Sequence, residues 1–282
     1  MRGHACRLWL LLVCVGCQLP GPVEEPPSLP LSARPANAVS DPGAETRSAA
    51  RRLWEEGQRA MRQGQPERAI ALYEQSLAAD PRMTRAHLSL AAAYLEKGDE
   101  AGACPHLARY VGAHPEHLVI RVQYAELLWR LRRRSESRAV FEAAVAEAQD
   151  ELPLSHLIHC HSRLTQIAEA EEEKYDEHLN RGIGLYLLAR ERAALPDPDG
   201  ELSVEGLLCR AAGELTLARL ERPDEARPSW YLYKVWSRLA QRRPALRSLR
   251  EASDRAPFSY LTPAEQRGLQ LACRDNTGLP RK

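Results

Sequence analysis

From about Ala50 onward the chain alternates between two kinds of stretch. Segments of roughly 12–16 residues, rich in Ala, Leu, Arg and Glu, are separated by short Gly, Pro and Asp breaks. Apolar residues spaced three and four apart make one face of a helix, so the pattern predicts an all-α chain. The same pattern repeats at a fixed interval. Three blocks of 34 residues follow one another without a gap: 50–83, 84–117 and 118–151. Small residues align at Gly57, Ala91 and Ala125, and again at Ala69, Ala103 and Ser137. Large apolar residues align at Tyr73, Leu107 and Phe141, and at Leu77, Val111 and Val145. Two helices approach closely only where one offers a small residue to the other's large one, so these columns read as the contact of a helical hairpin. Gly64 and Gly98 fall where the first helix of each pair should end, since Gly accepts a positive φ. Asp80-Pro81 and His114-Pro115 end the second helix, because the residue before Pro avoids the helical region. The third block has Arg132 at the turn Gly and Gln149 at the Pro, and predicts a continuous or differently angled junction.

This set of positions resembles the tetratricopeptide repeat, or TPR. The resemblance implies a right-handed superhelical solenoid of about twelve antiparallel helices, with a concave groove lined by the first helix of each pair. One repeat cannot bury its apolar face alone, so residues 47–274 are expected to fold as one array. The register returns at 226–259, where Ala245, Ala252 and Pro257 match Ala69, Ser76 and Pro81. Pro115 and Pro223 are 108 residues apart, three periods plus six. The surplus is expected at the turn cluster 196–200, and irregular helices at about 153–172, 175–195 and 202–221 within an irregular stretch 152–225. Thr262-Pro263-Ala264-Glu265 predicts a capped helix over 262–273 that closes the array, ahead of a tail at 275–282.

The chain start is of another kind. Arg2 and Arg7 precede a short apolar core, Leu8 to Val15, in the manner of an export signal spanning 1–17. Gly16-Cys17 resembles the lipobox of bacterial lipoproteins, although Cys14 stands where Leu is usual. That resemblance implies lipid attachment at Cys17, export and anchorage in a bacterial cell envelope. Residues 18–46 hold seven prolines and read as a disordered tether with a reach on the order of 30 Å.

Composition narrows the chemistry. Lys and Arg total 39 against 38 Asp and Glu, a net charge of +1, which argues against a nucleic-acid partner. The run Arg130, Arg132, Arg133, Arg134 and Arg138 reads as a solvated helix junction beside Glu136 and Glu142. No phosphate-binding glycine loop or nucleophile elbow occurs. No enzyme activity, cofactor or small-molecule substrate is therefore expected. Cys104, Cys160, Cys209 and Cys273 have no disulfide-framework spacing and are expected as small hydrophobes. His156, His159, Cys160 and His161 are the densest metal-capable group, and they support an alternative in which 153–222 serves an enzyme accessory or a metal-binding protein. No second ligand motif completes a set, so no metal site is expected.

The TPR resemblance implies a groove for a protein or peptide partner. Its residues would be Arg51, Trp54, Gln58 and Arg62, then Arg85, Leu88 and Glu96, then Glu126, Trp129 and Arg130, and finally Trp230, Lys234 and Arg238. Trp beside Arg suits a peptide hot spot. Trp54 and Trp230 also suit stapling between neighbouring helices. The Lys and Asn clamp by which chaperone-binding TPR domains hold a terminal carboxylate is absent: Trp54, Gln58, Ser89, Val119 and Gln123 occupy those positions. The reading is a non-enzymatic scaffold or assembly factor at the envelope.

Overall fold

A computed structural model describes residues 42–148, 152–194 and 203–276. Among these residues there are twelve α-helices, one 3-10 turn and no strand. Three regular hairpins come first: α1 (Pro42–Arg62) with α2 (Pro66–Ala79), α3 (Thr84–Lys97) with α4 (Glu100–Ala113), and α5 (Leu118–Arg130) with α6 (Arg134–Glu147). Three longer helices follow: α7 (Leu154–Glu171), α8 (Lys174–Ala193) and α9 (Val204–Glu221). A fourth hairpin, α10 (Ala226–Arg238) with α11 (Arg242–Arg255), leads through the 3-10 turn Ala256–Phe258 to α12 (Pro263–Asp275).

The aligned columns of the sequence are the hairpin cores. Ala69, Tyr73, Ala91, Ala103, Leu107, Ala125, Ser137 and Phe141 are all buried. A Cβ added at Gly57 would lie 2.5 Å from Tyr73 Cε1, and one at Gly182 would lie 2.7 Å from Leu215 Cγ. The small–large contact thus holds in the irregular middle as well as in the first repeat. Buried Ser76 donates from Oγ to the Ala50 carbonyl (2.7 Å), and Ser137 to the Ala125 carbonyl (2.9 Å), so both buried hydroxyls are satisfied.

Five hairpin turns share one backbone device. Gly64 and Gly98 have φ of 70° and 83°, and Arg132, Glu172 and Ala240 have φ of 63°, 59° and 55°. The third junction is therefore not continuous: Arg132 adopts the left-handed conformation that Gly takes in the first two. The turns at 64, 98 and 132 are 34 residues apart, and the next is at 172, one period plus six. The insertion expected at 196–200 lies outside the described residues. The step from Glu172 to Ala240 is 68 residues, two full periods. Regular repeats would place four helices there; among the described residues three, α8, α9 and α10, occupy it.

Three helices in place of four change the parity of the stack. Successive helices run antiparallel, as the pairs Tyr73 with Gly57 and Leu215 with Gly182 show. Odd-numbered helices form one layer: Trp54 of α1 reaches Ser89 of α3, and Glu126 of α5 reaches Arg163 of α7. Even-numbered helices form the other: Arg138 of α6 reaches Asp176 of α8, Lys234 of α10 lies over Tyr186 of α8, and Arg227 of α10 reaches Glu265 of α12. α12 also touches α6. By sequence register α10 is a first helix, yet it stands in the layer of the second helices.

Two boundaries move. α1 starts at Pro42, so residues 42–46 of the expected tether are helical, and Pro42 fills the first helical position, where a missing N–H costs nothing. α12 runs through Asp275, one residue into the expected tail. The signal segment, residues 18–41 of the tether and residues 277–282 lie outside the described residues. No helix among those described is long and apolar enough to cross a membrane.

Candidate functional site

The thirteen residues expected to line one groove divide between the two layers. Arg51, Trp54, Gln58, Arg62, Arg85, Leu88, Glu96, Glu126, Trp129 and Arg130 stand on α1, α3 and α5, while Trp230, Lys234 and Arg238 stand on α10. A single continuous groove is therefore not what the chain builds.

On the first three odd helices most of these side chains hold neighbouring repeats together. Trp54 Nε1 donates to Ser89 Oγ (2.8 Å), Gln58 Nε2 donates to the same oxygen (3.1 Å), and Arg85 covers the Trp54 ring at 5.3 Å. Glu126 accepts two hydrogen bonds from Arg163 (2.8 and 2.7 Å) and pairs with His159 (3.1 Å). Burial works against the Glu126 charge, but these partners outweigh it and hold the carboxyl below its usual range. Arg163 also covers the Trp129 ring, and Arg130 pairs with Glu100. Arg51, Arg62, Arg85 and Glu96 are exposed.

The face of α8, α10 and α12 is different. Lys234 Nζ lies 4.1 Å from the Tyr231 ring centroid, 4.7 Å from that of Trp230 and 6.0 Å from that of Tyr186. This is a three-walled aromatic cage around an ammonium. Arg238 covers Tyr186 from the exposed end. Burial first, and the charges of Arg190 and Arg227 after it, lower the Lys234 pKa to about 8 against the pull of Glu265. Beneath the cage Arg227 Nε donates to Glu265 Oε1 (2.8 Å), with the two side chains 18% and 5% exposed. Burial opposes the Glu265 charge, but Arg227 outweighs it and lowers the pKa. Glu265 is placed by its own helix start: Thr262 Oγ1 accepts from the Glu265 N–H, and Glu265 Oε2 accepts from the Thr262 N–H. Trp230 is only 4% exposed, so it is a cage wall and core residue rather than a groove lining. Its indole Nε1 is buried without a hydrogen-bond partner. No acceptor faces Lys234 Nζ within hydrogen-bond or ion-pair distance among the described residues. Two donors in one place thus lack an acceptor, a costly arrangement unless something supplies one.

The His-rich segment of α7 does not converge. His159 pairs with Glu126, Cys160 is fully buried between α5, α6 and α7, and His161 is buried against Asn180 Oδ1 (2.9 Å). Burial pushes the Cys160 thiol up to about 12, which leaves it an inert hydrophobe. The basic run is not merely solvated: Arg138 reaches Glu142, Glu171, Glu173 and Asp176 at 2.5–3.0 Å, tying α6 to α7 and α8. A separate cluster, missed in the sequence, gathers at the α4–α5 junction: His114, Glu116 and His117. The His-x-x-His spacing was its only signal, and it coincides with a helix stop.

Comparison with known proteins now places the first hairpins. Residues 55–117 match the family model described as Tetratricopeptide repeat. Over that segment the chain is similar to the tetratricopeptide repeat. The segment runs from the middle of α1 to the end of the second hairpin. No curated protein matches the chain. Solved structures that resemble it include pilF of Pseudomonas aeruginosa (16% identity, TM-score 0.37, 82% of this chain and 99% of that one). Two more are PilW, described as a type IV pilus biogenesis factor (18%, 0.36, 78% and 98%), and YrrB, a TPR protein with an unusual peptide-binding site (16%, 0.34, 86% and 100%).

Proposed function

We propose that this chain is a TPR-type, non-enzymatic scaffold whose docking contact is the α8–α10 face, and that this face receives a carboxylate-bearing peptide segment of a partner protein. One observation carries the reading: caged Lys234 and the Trp230 indole N–H are adjacent donors with no acceptor. A carboxylate supplies both at once, and the rings of Tyr186 and Tyr231 offer apolar area to the chain that bears it. Arg238 and Arg190 add the sign of charge that draws such a segment in.

Fluorescence anisotropy with labelled acidic peptides, ending in a free carboxylate or an amide, tests it. Lys234→Met is expected to weaken binding of the free acids about tenfold or more, the loss of a charged hydrogen bond. Arg85→Ala on the opposite layer is expected to leave it unchanged. Equal binding of acid and amide, unaltered by Lys234→Met, overturns the reading.

The scaffold is further proposed to be exported and held at the cell envelope by a lipid on Cys17. The basic start, the short apolar core and Gly16-Cys17 support this. Incorporation of radiolabelled palmitate that is lost in Cys17→Ser is the expected result, and equal labelling of both chains refutes it.

A further inference from the structure

The turn between the second and third hairpins brings three ligand-type atoms together. His114 Nδ1 lies 3.1 Å from Glu116 Oε1, and His117 Nε2 lies 3.8 Å from the same oxygen. All three donor atoms fall within 4.8 Å of one another. Bonds of ~2.0–2.2 Å to a tetrahedral zinc ion would set such atoms about 3.4 Å apart. Small rotations of the imidazoles about χ2, a broad torsion, cover the difference.

The remaining ring nitrogens are already engaged. His114 Nε2 is 2.8 Å from Thr84 Oγ1, and His117 Nδ1 is 2.8 Å from the Tyr110 hydroxyl. In the tautomers that donate to these two oxygens, the lone pairs left over are His114 Nδ1 and His117 Nε2, the two that converge. An outer hydroxyl that fixes a histidine tautomer is what a metal ligand needs. The backbone adds rigidity: the His117 N–H donates to the His114 carbonyl (3.1 Å), and the His114 N–H to that of Tyr110 (2.9 Å). The side chains of His114, His117 and Glu116 are 31%, 46% and 61% exposed, so an ion has access.

We propose that His114, Glu116 and His117 form a site for a zinc-type divalent transition-metal ion, with one coordination position left to water or to a partner's side chain. Two imidazoles and a carboxylate suit such an ion rather than calcium or magnesium, which take mainly oxygen ligands. The site sits where α4 ends and α5 begins, and its outer hydroxyls come from α3 and α4. An ion there clips the second hairpin to the third. The proposal is independent of the α8–α10 face.

Zinc chloride titrated into the full chain against a chromogenic chelator tests it. The wild type is expected to bind one equivalent more than His114→Ala/His117→Ala, since cysteines elsewhere are common to both. Glu116→Gln and Tyr110→Phe are each expected to weaken that equivalent by about tenfold or more. Zinc is expected to raise the wild-type Tm by several degrees and that of the double variant by none. Should the double variant fold poorly, Glu116→Gln alone decides, because its side chain is exposed and carries no packing. Identical stoichiometry and affinity in the wild type and in the variants overturns the site.

Discussion

The first three hairpins and the last five helices use charge differently. Each ion pair within α1–α6 keeps at least one partner in solvent: Arg51 with Glu55 at 67% and 41% exposure, and Arg121 with Glu147 at 8% and 56%. In α8–α12 the pair Arg227–Glu265 is drawn inside, beneath a caged lysine. The regular hairpins bury Ala, Leu and aromatic columns, and the charge they do bury, Arg121, pairs with an exposed Glu147. The later helices, three of which fill two periods among the described residues, bury Glu177, Asn180 and Glu265 between them. An interior of that kind is stabilised only while its charges remain mutually compensated.

Removing that compensation is the severest way to break the contrast. Glu265→Ala leaves Arg227 buried beside Lys234 and is expected to cost about 3–5 kcal/mol in urea unfolding. Arg227→Met/Glu265→Leu should recover most of the loss. If Glu265→Ala costs no more than a surface pair does, the buried pair does not distinguish the two regions.

Acid probes the same interior. Burial, and then the Arg227 charge, lower the His161 pKa to about 4, while Asn180 and Glu265 act in the opposite direction. The folded state keeps His161 neutral where the unfolded chain takes up a proton. Stability is therefore full above pH 6.5 and falls as pH drops from 6.5 towards 4, by about 3 kcal/mol. His87 and His106, 3.1 Å apart in the second hairpin, are also lowered by burial and add in the same direction. His161→Gln should flatten the profile more than His106→Gln does, as read from Tm against pH.

Much of this organisation was legible in advance. The 34-residue columns identified Tyr73, Leu107 and Phe141 as core because a period fixes which positions face each other. The capped start at Thr262 was legible because its chemistry is local. The parity shift was not: the lengths of α8 and α9 decide it, and no residue in them states whether three helices or four fill two periods. Trp230 was misplaced for the same reason, since register gives a helix face but not the layer opposite. Arg132 taking a glycine conformation, and Arg138 collecting four carboxylates, depend on neighbours distant in sequence.

A gentler perturbation asks whether the small–large contact carries the irregular helices as it carries the regular ones. A Cβ at Gly182 would approach Leu215 Cγ to 2.7 Å and its backbone N to 3.2 Å. Gly182→Ala is expected to cost about 1–2 kcal/mol after the helix-propensity gain of about 1 kcal/mol. Gly213→Ala, exposed on α9 with nothing within 4 Å, should be neutral or stabilising. The same sign for both would mean that α8 and α9 have room to adjust and that their contact differs in kind from that of α1 and α2.

The smallest effect expected is at Arg51. Its bond to Glu55 is an exposed contact four residues apart on one helix, and such pairs contribute about 0.3–0.5 kcal/mol. Arg51→Ala should therefore leave the urea midpoint almost unmoved. It also stands on the odd-numbered layer, opposite the caged lysine, so it should leave affinity for the acidic peptides unmoved as well. A clear loss of peptide binding at unchanged stability would place the partner on the first three hairpins. The comparison would then invert: the regular region would bind and the polar interior would only brace it.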